Sequence, residues 1–285
     1  MPEGPEVKVI VDGLNNVLKN KYIKSIEITP NSRYRNKAPN GFNDFKDFIL
    51  NKKTDSDTNN NPKILKVNCK GKFIYFEIEG GWYIFNRLGM SGIWSHNKGK
   101  HTSLILTYSS QQKNQTKNKD IFFIDQRHFG IFEFTNKKSI LNQKLNSIGP
   151  DLLNDNITYS QFETIILNHQ KKNICKVLMD QSIFSGIGNY LKSEILYEAH
   201  IHPLTNINQL SPQKLKLLFN TSRKLIRASY LAQGTSLRHY KNVESVKGQF
   251  EFQLKVYQRK QDPDGNPVKR IMTPDKRSTF FVDNF

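Results

Sequence analysis

The chain opens Met1-Pro2-Glu3-Gly4-Pro5-Glu6. With Met1 removed, Pro2 carries a free secondary amine, a group no internal residue can offer. An α-amino group titrates near ~7.7–8.0, well below a lysine. A useful fraction is therefore unprotonated at neutral pH and can attack an electrophilic carbon to give an iminium adduct. The adjacent Glu3 supplies a carboxylate able to take or give a proton beside that amine. The plainer reading is a helix start, where proline's missing N–H costs nothing and acidic groups complement the helix dipole.

A second grouping lies at Gly186-Ile187-Gly188-Asn189-Tyr190. Its glycines let the backbone turn tightly and approach a partner. The N–H groups of the following helix's first turn then make an anion site, to which Asn189 adds a side-chain donor. On its own a Gly-x-Gly is only a turn. It gains weight in a basic chain, and this one has 43 Lys and Arg against 25 Asp and Glu, a net charge of +18. That balance is the footprint of a polyanion binder. No apolar run is long enough to span a bilayer, and no signal-peptide core is visible, so no membrane partner is expected.

Only two cysteines occur, Cys69 and Cys175. A four-cysteine zinc site is thereby excluded, and reduced thiols in an intracellular protein are the default. His200 and His202 form an HxH pair without evident co-ligands and read as structural. No metal and no cofactor is expected.

Elements must hold these groups in place. Val7, Ile10, Val11, Leu14, Val17 and Leu18 lie on one helical face over residues 5–19, anchoring the terminus against a core. From 22 to 135 the apolar period becomes two. Strands are predicted over 22–29, 63–69, 73–79, 82–86, 103–108, 121–125 and 131–134, with a short helix at 42–50 and polar loops at 54–61 and 109–120. Many short strands with turn-rich breaks suggest a sandwich or barrel. Gly149-Pro150 marks a boundary, giving domains 1–148 and 149–285. Beyond it, helices are predicted over 160–168, 173–180, 189–199 and 213–232, the last opened by Ser211-Pro212. Strands at 250–257, 269–272 and 278–282 follow, separated by turns at 262–265 and 273–276. The fold class is α+β: an N-terminal helix with an antiparallel β-sandwich, then a helical domain ending in a β-hairpin.

Several separated motifs, in order, resemble the formamidopyrimidine-DNA glycosylase/endonuclease VIII (Fpg/Nei) family over essentially the full length. Pro2 to Val7 resembles its mature N-terminus, with Gly4 leaning toward the endonuclease VIII side. Cys69-Lys70-Gly71-Lys72 resembles its glycine-lysine turn, and Asp125-Gln126-Arg127-His128-Phe129-Gly130 its Arg-Arg-Phe-Gly loop. Residues 179–203 resemble its helix–two-turn–helix (H2TH). The family usually ends in a zinc finger with four cysteines; residues 255–285 hold none, yet Lys276-Arg277-Ser278-Thr279-Phe280-Phe281 resembles the finger's arginine turn. This is similar to the metal-free "zincless finger" of the Nei-like 1 group, spanning about residues 250–285. Two departures remain: His128 stands where the family has a second arginine, and Gln233-Gly234-Thr235 has one glycine where many relatives have two.

The resemblance implies a bifunctional DNA glycosylase and AP lyase. Pro2 would attack C1′ of a damaged nucleoside, displace the base and break the strand by β- and δ-elimination, with Glu3 assisting ring opening and proton transfer and Lys72 binding a phosphate beside the lesion while helping the acid/base steps. Lys176, Asn189 and Arg277 would bind phosphates; for Lys176 an ordinary surface lysine is an equal reading. Met90, Arg127 and Phe129 would fill the void left by an extruded base, unless Met90 and Phe129 belong to the core. The implied partner is damaged double-stranded DNA, or single-stranded or bubble DNA, held by a monomer in a basic cleft between the domains. Oxidised pyrimidines are favoured. A non-catalytic damage-binding protein on the same scaffold is the alternative, and a lyase acting on abasic sites alone is a third.

Overall fold

The computed structural model describes residues 2–54, 61–110, 118–235 and 248–283. The expected loops at 54–61 and 109–120 lie mostly outside them, as do residues 236–247. Contacts divide the protein into two compact units. One holds Pro2 and Glu6–Leu145; the other holds Glu3–Pro5, Asn146–Thr235 and the last segment from Gln249.

The first unit is built on α1 (Gly4–Leu18), β1 (Tyr22–Ile28), α2 (Phe42–Thr54), β2 (Ile64–Lys70), β3 (Phe73–Ile78), β4 (Trp82–Arg87), β5 (Ile93–Ser95), β6 (Thr102–Ser109), β7 (Lys119–Ile124), β8 (Ile131–Thr135) and α3 (Lys138–Asn146). Two four-stranded antiparallel sheets, ordered β1-β6-β7-β5 and β2-β3-β4-β8, enclose one core. Alternation supplies the inward faces: Ile74, Phe76 and Ile78 of β3 are buried between more exposed neighbours. Trp94 joins the layers, its ring 5.7 Å from Phe76 and 5.4 Å from Phe123, its Nε1 donating to Asn86 Oδ1 at 3.1 Å. On α1, Val7, Ile10, Val11, Leu14 and Leu18 are buried as the spacing required. Asn15 fixes that helix to β2, donating to Val67 O at 2.7 Å and accepting Val67 N–H at 2.9 Å.

The second unit carries α4 (Tyr159–Leu167), α5 (Ile174–Met179), α6 (Asn189–Glu198), α7 (Pro212–Leu231) and an antiparallel hairpin, β9 (Lys269–Met272) with β10 (Ser278–Phe281). Caps set the helix starts. Thr158 and Gln161 form a reciprocal capping box on α4, Asn173 caps α5, and Ser211 caps α7 ahead of Pro212. Stacked rings of Phe162 and Phe184, 4.7 Å apart, centre its core.

Three predictions need amendment. β5 and α3 are additional elements. The strand expected over 250–257 is absent: a 3-10 turn at Phe250–Gln253 leads into irregular chain. Over the last three of these residues the cause is Glu194 on α6, whose carboxylate accepts the N–H groups of Lys255, Val256 and Tyr257 at 2.9, 3.0 and 2.7 Å. A carboxylate that takes three successive amides removes them from any ladder. Burial pushes the Glu194 carboxyl up despite those donors. No described helix is long and apolar enough to cross a membrane.

Candidate active site and nucleic-acid interface

Helix α6 begins without a side-chain cap of its own, because its cap residue is Gly188. Glu3 supplies the missing acceptor. Its buried carboxylate accepts the N–H groups of Gly188 at 2.7 Å, Tyr190 at 2.9 Å and Leu191 at 3.3 Å. An anion at these otherwise orphaned donors is favoured by hydrogen bonding and by the helix dipole together. The two glycines make room for it. A Cβ at Gly188 would stand 2.2 Å from Glu3 Cδ, and one at Gly4 would stand 2.9 Å from Gly186 Cα. Gly4 N–H also donates to Gly186 O at 2.7 Å, and Gly186 sits at φ +92°. Here sequence reasoning is corrected: the anion received by these α6 amides is the chain's own Glu3. Gly186 and Gly188 admit residues 3 and 4.

Pro2, half-buried, precedes this anchored residue. Lys72 lies in the first unit on the two-residue turn Gly71-Lys72 joining β2 and β3, with Lys70 paired to Phe73 across it. Gly71 takes φ +55° at the first turn position, which glycine does at no steric cost.

Met90, Arg127 and Phe129 come together on adjoining loops of the first unit. Met90 is 37% and Phe129 48% exposed, so neither is a core residue. The Arg127 guanidinium lies 5.2 Å from the centre of the Phe129 ring. The organiser is Asp125, which is buried. It accepts Ser91 Oγ–H at 2.5 Å, the Arg127 N–H at 3.3 Å and the Gly130 N–H at 2.6 Å. Ser91 Oγ accepts the Arg127 N–H at 3.0 Å, closing the link between the loops. His128 adopts φ +56° within the same turn.

The remaining cationic residues sit in the second unit. Lys176 is exposed on α5, and Arg277 is exposed beside the β9–β10 turn. Asn189, at the start of α6, donates from Nδ2 to Ser278 O at 2.9 Å. Its amide keeps a second N–H. The residue read as a phosphate ligand thus also ties α6 to the hairpin carrying Arg277. Gln233 and Gly234, both at positive φ, close α7; the loop they open lies outside the described residues.

A metal does not fit this hairpin. Of the two cysteines, Cys69 is on β2 of the first unit and Cys175 is buried in α5. Among the described residues no three His, Cys, Asp or Glu cluster as ligands. Glu3's capping contact and the anchoring roles of Asp125 and Ser91 escaped sequence reasoning. Only the Gly-x-Gly spacing and the buried-strand ending at Asp125 carried any signal of them.

Comparison with known proteins agrees with this architecture. Residues 1–132 match the model of the formamidopyrimidine-DNA glycosylase N-terminal domain, and residues 148–241 match that of the formamidopyrimidine-DNA glycosylase H2TH domain. A formamidopyrimidine-DNA glycosylase of Oceanobacillus iheyensis is 30% identical over 264 residues, 90% of this chain and 86% of the relative. One from Ligilactobacillus salivarius is 28% identical over 290 residues, 99% of this chain and 97% of the relative. A variant of Lactococcus lactis FPG in complex with Fapy-dG-containing DNA superimposes with a TM-score of 0.80 at 24% identity, covering 99% of this chain and 98% of the other. The chain belongs to the formamidopyrimidine-DNA glycosylase (Fpg/Nei) family. That family consists of DNA glycosylases of base excision repair.

Proposed function

We propose that this protein binds damaged DNA, excises an oxidatively damaged base and cleaves the strand at the resulting abasic site, through the amine of Pro2. The observation that carries this reading is the Glu3 carboxylate, held by the amides of Gly188, Tyr190 and Leu191 at the start of α6 and adjacent in the chain to the candidate nucleophile. Positioning of this kind turns an encounter into an intramolecular step.

In the proposed sequence, the unprotonated Pro2 nitrogen bonds to C1′ and the C1′–base bond breaks, the base leaving with a proton. Sugar-ring opening gives an iminium between Pro2 and C1′. The C2′ proton becomes acidic, and its removal expels the 3′ phosphate; a second elimination expels the 5′ phosphate. Glu3 serves ring opening and the proton transfers. Lys72, Lys176, Asn189 and Arg277 hold phosphates around the lesion, contacts that position a duplex without reading sequence. Met90, Arg127 and Phe129 fill the gap left by an extruded nucleotide, apolar groups stacking and arginine bonding the orphaned base. The exposed, mutually packed geometry of Arg127 and Phe129 supports that role.

The substrate proposed first is a formamidopyrimidine, a ring-opened purine, after the name of the relatives. Oxidised pyrimidines form the second reading, carried by Gly4. That glycine has a steric reason of its own in its approach to Gly186, which weakens it as a substrate marker. The similarity to a zincless finger supports a hairpin that works without metal.

Borohydride trapping tests the whole scheme, using protein of verified N-terminus and duplexes carrying Fapy-dG, 8-oxoguanine, thymine glycol or an abasic site. A covalent adduct on a base lesion, abolished when Pro2 is blocked, is expected, and the yields rank the two substrate readings. Trapping on the abasic site alone reduces the protein to a lyase. Tight lesion binding without trapping makes it a damage-binding protein.

A further inference from the structure

Lys192 is an unusual residue for the middle of a core helix. Its side chain is wholly buried, at 0% exposure, and its Nζ lies 2.7 Å from Oδ2 of Asp275, itself 4% exposed. Asp275 occupies the turn between β9 and β10, two residues before Arg277. Around this pair the turn is closely bonded. Thr273 Oγ1 lies within hydrogen-bond distance of Asp275 Oδ1, of Arg277 O and of Thr279 Oγ1. Thr273 N–H donates to Arg277 O at 3.0 Å, and Lys276 takes φ +60° between them. Asn189 and Ser193, from the same helix, bond the backbone of Ser278 and Phe280.

Burying an ion pair adds little net stability over an apolar pair of similar size. What it does well is fix one register, because either partner alone is an uncompensated buried charge. We infer that the Lys192–Asp275 pair is the positioning device for Arg277, holding the hairpin turn against α6 in a finger whose residues offer no metal site. Lys192 and Asp275 are positioning residues; they act on DNA only through Arg277. The inference rests on the proposed role of Arg277 as a phosphate clamp.

The test is a double-mutant cycle read by binding to a duplex containing a tetrahydrofuran abasic analogue. Arg277→Ala is expected to weaken binding roughly tenfold at 0.1 M salt and to reduce the slope of log K against log salt by about 0.9, the signature of one lost phosphate contact. Lys192→Met and Asp275→Asn are each expected to reproduce both changes. Added to Arg277→Ala, they are expected to cost no further binding while still lowering the melting temperature. Lys192→Arg, which keeps the charge, is expected to restore the slope. Should Lys192→Met fail to fold, the near-isosteric Asp275→Asn carries the test. Equal losses in both Arg277 backgrounds, or an unchanged salt slope for Lys192→Met and Asp275→Asn, overturns the positioning role. If Arg277→Ala itself leaves binding intact, the clamp reading falls and the inference falls with it.

Discussion

Glu3 and Gly188, 185 positions apart, meet at 2.7 Å where the Glu3 carboxylate accepts the Gly188 N–H. The same carboxylate completes the start of α6 and adjoins the proposed nucleophile. Glu3→Gln separates these two roles. The amide presents N–H groups to backbone N–H groups and loses a charge-assisted acceptor, a change of about 1.5–3 kcal/mol. Denaturant unfolding is expected to show that loss, and borohydride trapping to show no excision, while DNA binding persists. Normal excision by a destabilised Glu3→Gln protein would leave Glu3 as a helix cap only.

Gly188→Ala attacks the same contact from the other side. Its Cβ would stand 2.2 Å from Glu3 Cδ, so the carboxylate must move. A displacement on the order of an ångström costs about a hundredfold in rate. Single-turnover kinetics on a lesion duplex are expected to show that fall with the protein still folded by circular dichroism. An unchanged rate would mean that Glu3 need not occupy the start of α6.

Asp125→Ala removes the acceptor shared by Ser91, Arg127 and Gly130. A buried N–H left without a partner costs about 1–3 kcal/mol, and the Met90 and Phe129 loops lose their common anchor. Excision from duplex DNA is expected to fall far more than cleavage of a single-stranded abasic site, which has no opposite base to stabilise. Equal losses on both substrates would contradict the void-filling role of these loops.

Burial pushes the Cys175 thiol up to about 11 from an ordinary 9, the nearby Lys192 opposing that shift only in part. A thiol harder to ionise in the folded state favours folding below the unfolded value. That contribution is lost as pH rises from about 9 through about 11. Alkylation at pH 8 followed by mass spectrometry is expected to label Cys69, which is partly exposed, well before Cys175. Prompt labelling of Cys175 in folded protein would contradict its burial.

Much of this was legible in the residues, because periodicity is local. The five-residue apolar ladder of α1 and the period-two strands from 22 to 135 need no distant partner to be recognised. What stayed hidden depends on distance along the chain. β5 is three residues long and exists through its pairing with β7. Phe250 to Tyr257 has the composition of a strand, yet the Glu194 carboxylate, 62 positions before Val256, takes the amides of its last three residues. The glycines of 186–188 were visible, but the side chain they admit comes from residue 3. Asp125 read as the end of a strand, and only its bonds to two loops reveal it as their anchor.

The distance between Glu3 and Gly188 also has a consequence during synthesis. At about 5–20 residues per second, the ribosome adds Gly188 roughly 10–40 s after Glu3, given the 185 positions between them. Throughout that interval the emerging terminus lacks the three amides that seat its carboxylate. A nascent chain therefore exposes its amine long before the constellation proposed to use it can assemble. Competence would arrive only once residues 188–191 have been made and have folded back onto Glu3.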